Sequence, residues 1–216
     1  VRRMFNFGLE TDFLQNLHIS PCLGVKKQFE DKKKDRFLDD SEIRVFWEAL
    51  ETAPMTPAMM SVLKLILITG QRPGEVIEMH SSEIDGHWWT IPREKSKNRQ
   101  EHRVYLSSIA KRLIPPTEGY IFSYRDEKPM EVNAIAHALR KLTKPLKGAD
   151  EPILPIKYFT AHDLRRTCAT HLAELEFTDE IIGAVLNHKK QSVTGIYNRY
   201  RYDKQKREAL ILWSRK

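Results

Sequence analysis

The chain has 216 residues, of which 41% are hydrophobic and 30% charged, and its formal net charge is +7. This composition is typical of a globular protein and excludes a disordered chain, while the basic charge favours a polyanion such as nucleic acid as a partner. The two cysteines, Cys22 and Cys168, lie in no Cys/His spacing pattern, so neither a disulfide framework nor a zinc site is expected, and a cytoplasmic location fits best. The apolar run from Val62 is too short to span a bilayer.

The N-terminal segment predicts a helix followed by a linker. Apolar residues from Met4 to Leu17 recur at helical spacing, and Pro21 would end that helix. We interpret residues 1–20 as the end of a preceding helical domain, because this helix lacks a packing partner and the first residue is Val. Residues 21–36 are strongly charged and predict a basic linker, either a solvated tether or a strap along a DNA backbone.

A second domain, residues 37–216, begins with two helices. Asp40 or Ser41 is expected to cap the first. The second begins at Pro57, is apolar nearly all round and is expected to end at a left-handed Gly70, which places it in the core.

Arg72 lies at the start of a third predicted helix. Pro73 suits the first helical turn, so Arg72 is placed where free backbone N–H groups favour an anion. Glu75, three residues on, is placed to pair with Arg72 and orient its guanidinium. An ordinary surface Arg–Glu pair is the alternative.

Residues 87–107 predict a β-hairpin, with strands at about 87–92 and 101–107. Lys97 lies in the turn between them, where it either reaches a neighbouring site or is simply solvated. A third strand is expected from Gly119 and a helix from Glu131, followed by a loop.

A capped helix begins after Thr160, with Asp163 at the capping-box position. His162 and Arg165 lie within one turn of each other near its N-terminus, where a phosphate would be attracted. The buried stripe is expected to comprise Leu164, Cys168, Leu172 and Leu175. Arg166 and His171 are either structural or DNA-contacting.

The next helix is expected to end at a left-handed Asn187, directly before His188. A short helix or turn with three tyrosines follows, and Tyr197 comes nine positions after His188. A basic amphipathic helix then runs to the C-terminus and is a candidate oligomerisation arm.

These residues form an ordered set that suits phosphodiester chemistry. Arginines bind two phosphate oxygens at once, tyrosine is a suitable nucleophile, and histidine and lysine move protons. The set is Arg72, Lys97, His162, Arg165, His188 and Tyr197.

The set resembles the active site of the tyrosine recombinase (phage integrase) family, and NHKKQSVTGIYNRY resembles integrases of prophages and genomic islands. The match covers about Phe37 to the C-terminus, the catalytic domain of the family. It implies an α+β fold, mostly helical with a small antiparallel sheet. Residues 1–20 resemble the last piece of the core-DNA-binding domain that precedes it.

The resemblance implies a role for each residue. Arg72 and Arg165 would clamp the scissile phosphate, and His188 would add a hydrogen bond. Lys97 would protonate the departing 5′ oxygen.

His162 would deprotonate Tyr197, whose attack would give a 3′-phosphotyrosine link and a free 5′-hydroxyl. Neither metal nor ATP would be required.

The resemblance also implies partners. Four protomers would act as a homotetramer on two DNA duplexes at attachment sites, with an accessory directionality factor as a further candidate. This chain alone is expected to bind its site weakly, as a monomer.

Alternatives remain for two residues. Lys95 lies two positions from Lys97 and could be the acid instead; Tyr200 and Tyr202 are rival nucleophiles, although they lie twelve and fourteen positions after His188. Asn187 stands where a glycine is frequent in the family.

Two other functions compete with a recombinase. A type IB topoisomerase shares the tyrosine chemistry but joins no second duplex. The IYNRY motif and the C-terminal helix favour a recombinase. A non-catalytic basic DNA-binding module explains the charge but not the ordered set. A metal nuclease is disfavoured, because the sequence has no carboxylate cluster and no His/Cys ligand spacing.

Overall fold

The computed structural model describes residues 1–26, 35–124, 128–145, 150–188 and 200–216. The chain divides into two compact units, Val1–Asp35 and Arg36–Lys216. No helix in these described ranges is long and apolar enough to cross a membrane.

In the first unit, residues 1–26 contain one short helix, α1 (Arg2–Glu10). The predicted helix extending to Pro21 is therefore wrong. The chain turns after Glu10 because Asp12 adopts a left-handed conformation (φ 52°), and the Leu14 N–H returns to the Gly8 carbonyl over 3.1 Å. Half of the predicted linker, residues 27–34, lies outside the described residues.

The second unit begins with α2 (Asp40–Thr52). Neither Asp40 nor Ser41 caps it, contrary to the sequence prediction. Asp39 is the cap: its carboxylate accepts from the Glu42 backbone N–H over 2.9 Å, and the Glu42 carboxylate accepts from the Asp39 N–H over 3.2 Å. This reciprocal pairing satisfies two N–H groups at the helix start, whereas Asp40 as the cap would have Ile43 at the third position, which has no carboxylate to return the bond.

The central helix is α3 (Pro57–Thr69), and Gly70 ends it in the left-handed conformation (φ 67°), as predicted. Its residues from Val62 to Thr69 are all buried. Helices from every part of the unit pack around it, which explains why the sequence of α3 is apolar on all sides. The short α4 (Pro73–Ile77) follows directly.

The predicted hairpin is confirmed. β2 (Trp88–Ile91) pairs antiparallel with β3 (His102–Tyr105), in a register that sets Trp88 opposite Tyr105. β1 (Ile84–Asp85) completes a three-stranded sheet in the order β1-β2-β3.

The segment from Gly119 contains a third strand, as predicted, but that strand does not join this sheet. A tight turn at Gly86 (φ 56°) places β1 on the free edge of β2. Ser123–Tyr124 (β4) instead pairs with Lys128–Pro129 (β5) in a separate two-stranded sheet.

Five further helices complete the described part of the second unit. They are α5 (Ser108–Arg112), α6 (Val132–Thr143), α7 (Ala161–Glu174), α8 (Asp179–Val185) and the C-terminal helix (Asp203–Trp213). The helix predicted after Glu131 is thus α6, and α7 has the predicted Thr160–Asp163 capping box.

The faces of the last helices are set by packing. In α7, Leu164, Cys168 and Leu172 are fully buried, as predicted, whereas Leu175, just past its end, is only half-buried. The C-terminal helix packs on its own unit, where the Trp213 indole donates to the Leu67 carbonyl over 3.0 Å.

Candidate active site

Five of the six predicted site residues lie in the described part of the chain. Arg72 is the N-cap of α4, Lys97 lies in the β2–β3 turn, and His162 and Arg165 lie near the start of α7. His188 lies shortly after α8, beyond Leu186 and Asn187. The sixth, Tyr197, lies outside the described residues.

Arg165 is held by backbone carbonyls. Its side chain is buried, and Nη1 donates to the Gly70 carbonyl over 2.7 Å while Nη2 donates to the Leu186 carbonyl. A side chain at position 70 would crowd this contact, since a Cβ there would lie 2.8 Å from Leu186 Cδ2 and 2.9 Å from Cys168 Sγ. Gly70 therefore serves both the helix end and the seating of Arg165.

Arg72 is held by a carboxylate and by the neighbouring carbonyl. Nη1 lies 2.8 Å from Glu75 Oε1, which confirms the predicted pair, and Nη2 donates to the Asn187 carbonyl over 3.2 Å. Glu75 Oε2 also accepts from the Arg72 backbone N–H over 3.2 Å. The two arginines thus bind adjacent carbonyls, those of Leu186 and Asn187, and further N–H donors remain on each guanidinium.

The charges at this site are unbalanced. Burial and the nearby Arg72 charge lower the pKa of Arg165 from 12.5 to about 10, and Glu75 opposes this shift only in part. A bound anion would stabilise both guanidinium groups, because Glu75 is the one carboxylate among the described residues that pairs with them.

The two histidines lie in the same positive field. Partial desolvation lowers the pKa of His162, and the charges on Arg165 and Arg166 lower it further. Partial desolvation also lowers the pKa of His188, followed by the charges on Arg165 and Arg72. Both imidazoles are therefore neutral near pH 7 and have a ring nitrogen that can accept a proton.

The two lysines of the turn have different environments. Lys95 Nζ lies 2.5 Å from Glu83 Oε1 and donates to the Glu78 carbonyl over 2.7 Å, so its ammonium is engaged in the fold. Lys97 is exposed, and within the part of the chain that the structure describes its amine has no hydrogen bond or ion pair. Of the two, Lys97 is the one whose amine has no partner among the described residues, as the prediction of Lys97 rather than Lys95 requires.

Four other residues that the sequence analysis considered also have defined contacts. The Tyr202 hydroxyl donates to Glu180, and the Tyr200 hydroxyl lies 3.4 Å from Gln205. His171 is buried against Trp213, with ring centroids 4.9 Å apart, which gives it a structural place. Arg166 forms an ion pair with Asp163 over 2.5 Å.

The end of α8 is held by residues that the sequence reasoning missed. Gln71 Nε2 donates to the Val185 carbonyl over 2.9 Å, and His102 Nε2 lies 3.1 Å from the same oxygen. Burial lowers the pKa of His102 to about 3, so this imidazole is neutral. The sequence gives little indication of these contacts. Gln71 is a polar residue between Gly70 and Arg72, but the Val185 carbonyl that it binds is 114 residues away.

Comparison with known proteins identifies the family. The model of the phage integrase family matches residues 36–204, which include all six predicted site residues. The chain belongs to the phage integrase family. Among its relatives, the prophage integrase IntA of Escherichia coli (strain K12) is 27% identical over 207 residues, which cover 90% of this chain and 48% of the relative. The tyrosine recombinase XerD of Oceanobacillus iheyensis is 26% identical over 207 residues, covering 91% of this chain and 67% of the relative. This integrase-family chain thus spans about half the length of IntA.

Solved structures show the same fold. An integrase from mycobacterium phage Brujita superposes with a TM-score of 0.62 at 16% identity, over 97% of this chain and 68% of that one. A lambda integrase, solved as a tetramer bound to a Holliday junction, also gives a TM-score of 0.62 at 16% identity, over 89% of this chain and 58% of that one. The fold is that of a tyrosine recombinase catalytic domain, which confirms the predicted fold class.

Proposed function

We propose that this chain is the catalytic part of a site-specific DNA recombinase that integrates and excises a mobile element through a 3′-phosphotyrosine intermediate. The observation that carries the proposal is the pair of seated arginines, with excess positive charge beside two neutral histidines. The prophage integrases and recombinases among its relatives support the same reaction class.

Arg72 and Arg165 bind the non-bridging oxygens of the scissile phosphate. Their guanidinium groups are already fixed by the Asn187 and Leu186 carbonyls, so little reorganisation accompanies charge development. His188, neutral at pH 7, donates one further hydrogen bond.

Tyr197 attacks the phosphorus. Its proton passes to His162, whose lowered pKa leaves a ring nitrogen free to accept it. The Tyr197 Oη–P bond forms, the P–O5′ bond breaks, and Lys97 gives a proton to the departing oxygen. A 5′-hydroxyl from a partner strand reverses the step, so the phosphodiester energy is retained and neither ATP nor metal is needed.

The proposed assembly is a homotetramer on two DNA duplexes at attachment sites, with an accessory directionality factor as a further partner. The lambda integrase tetramer bound to a Holliday junction, which has the same fold, supports this arrangement. Residues 37–216 then form the catalytic domain and residues 1–20 the end of a core-DNA-binding domain, joined by a basic linker at 21–36.

Covalent trapping on a nicked suicide DNA carrying the attachment core site tests the reaction. The wild type should give a shifted band on a denaturing gel, with EDTA present, and Tyr197→Phe should give none. Absence of a band with DNA that the wild type demonstrably binds would favour the non-catalytic DNA-binding module.

A second assay separates recombinase from topoisomerase. We expect strand joining between two duplexes that carry the site, and no relaxation of a supercoiled plasmid that lacks it. Rapid relaxation of any plasmid without joining would favour the topoisomerase instead.

A further inference from the structure

Among the described residues, Asn187 makes the hydrogen bonds that attach the β2–β3 turn to the end of α8. Its side-chain Nδ2 donates to Ser96 Oγ over 3.0 Å, and its backbone carbonyl accepts from the Asn98 side-chain amide. Ser96, which is buried, and Asn98 are the two sequence neighbours of Lys97. Lys97 is thus fixed on both sides, although its own amine has no partner among the described residues.

The same carbonyl of Asn187 also accepts from Arg72 Nη2 over 3.2 Å, and the next residue is His188. One residue therefore connects the phosphate-binding arginine, the turn that carries the lysine, and the second histidine.

The backbone at position 187 is left-handed, with φ 52°. Glycine or asparagine adopts this conformation readily, but only asparagine brings an amide that can hold Ser96. The helix stop and the attachment of the turn are thus combined in one residue.

We propose that Asn187 is a positioning residue, which holds the turn carrying Lys97 at the distance from Arg72 and His188 that proton transfer to the 5′ oxygen requires. This inference rests on the proposed function. A general acid acts only within hydrogen-bond reach of its acceptor, and the long lysine side chain alone would sample many positions. Anchoring the backbone on both sides of Lys97 restricts that range.

The test compares two leaving groups. In one nicked suicide DNA the scissile phosphate carries the ordinary 5′ oxygen, and in the other a 5′-bridging sulfur. With oxygen, the P–O5′ bond breaks and Lys97 supplies a proton. With sulfur, the P–S bond breaks and the group departs as a thiolate, which needs no proton because its conjugate acid is far stronger than an alcohol. Lys97→Ala calibrates the assay, since it should lose cleavage of the oxygen substrate and regain it with sulfur.

Asn187→Gly keeps the left-handed backbone and removes the amide, and Ser96→Ala removes its acceptor. We expect each to slow covalent cleavage of the oxygen substrate by about tenfold or more, as small misplacements of reacting groups do. Cleavage of the sulfur substrate should stay near the wild-type rate. The double variant should be no slower than either single variant, because both remove one interaction. Asn133→Ala, at an exposed asparagine of α6, is the matched control and should cleave both substrates normally.

Three results would contradict the inference. Wild-type rates for both Asn187→Gly and Ser96→Ala on the oxygen substrate would remove Asn187 from catalysis while leaving the recombinase assignment intact. Equal losses of cleavage rate on the oxygen and sulfur substrates, in variants whose thermal unfolding matches the wild type, would show that the Asn187–Ser96 interaction affects something other than proton transfer. A wild type that forms no covalent product with either DNA would overturn the proposed function, and the positioning role with it.

Discussion

Replacing Arg165 with glutamine tests whether the arginine pair is an anion site. Burial and the Arg72 charge lower the pKa of Arg165 from 12.5 to about 10. At about 1.4 kcal/mol per pKa unit, the charged guanidinium costs the folded state roughly 3 kcal/mol. Arg165 is charged in the folded and unfolded chain at neutral pH, so this cost is present at every pH below about 10.

An anion bound between the two arginines should offset much of that cost. Sulfate has the charge and shape of a phosphate group, so we expect it to stabilise the wild type by up to roughly 3 kcal/mol, comparable to a ligand at about 100 times its Kd. For a chain of this size, that corresponds to a rise in Tm of about 6–12 °C.

The assay is calorimetric unfolding in sulfate and in chloride at equal ionic strength. Because sulfate is excluded from protein surfaces and stabilises any fold, the measured quantity is the difference between variants. Arg140→Gln, at an exposed arginine of α6, makes the same charge change and is the matched control. The wild type and Arg140→Gln should respond alike, and Arg165→Gln should respond by several degrees less. An equal response in Arg165→Gln would refute the anion site.

Four further predictions follow from the same contacts. The single-turnover cleavage rate should stay constant as the pH falls through about 6.5, the ordinary histidine pKa, and decline only below it, because His162 and His188 have lowered pKa values; a decline centred at or above that pH would count against neutral histidines. Burial lowers the pKa of His102 to about 3, so as the pH falls this imidazole is protonated in the unfolded chain before it is protonated in the folded one. The free energy of unfolding, measured with urea, should therefore fall by up to about 1.4 kcal/mol per pH unit below about 6.5. His102→Gln should flatten that dependence, and an unchanged slope would assign it to other groups. Lys95→Ala should lower the Tm by breaking an ion pair, whereas Lys97→Ala should leave the Tm unchanged and reduce cleavage; the reverse pattern would exchange their roles. If DNA is held mainly through its phosphates, raising the salt concentration should release it, measured by fluorescence anisotropy, before any helix is lost by circular dichroism; binding that is insensitive to salt would contradict a phosphate-directed interface.

The sequence predicts those parts of the fold that depend on local signals. The bounds of α3 follow from Pro57 and Gly70, and the start of α7 follows from the Thr160–Asp163 capping box. The N-terminal helix is overestimated, because apolar spacing continues past the residue where Asp12 turns the chain.

Contacts between distant segments are beyond such signals. The pairing of β1 with β2 is different, because a two-residue turn beginning at Gly86 is a local hairpin signal that the sequence analysis did not use. In the site, Arg72 and Arg165 are readable because each lies near a helix start. The Leu186 and Asn187 carbonyls that fix them belong to a helix end far along the chain, and only tertiary packing brings them together.

Mass spectrometry of the covalent adduct trapped on nicked DNA is the most direct test of the recombinase chemistry. After protease digestion, the account predicts one modified peptide, with the 3′ phosphate of the DNA joined to Tyr197 and the 5′-hydroxyl of the other fragment free. An adduct on Tyr200 or Tyr202, a link through the 5′ end, or no adduct on DNA that is bound would contradict it.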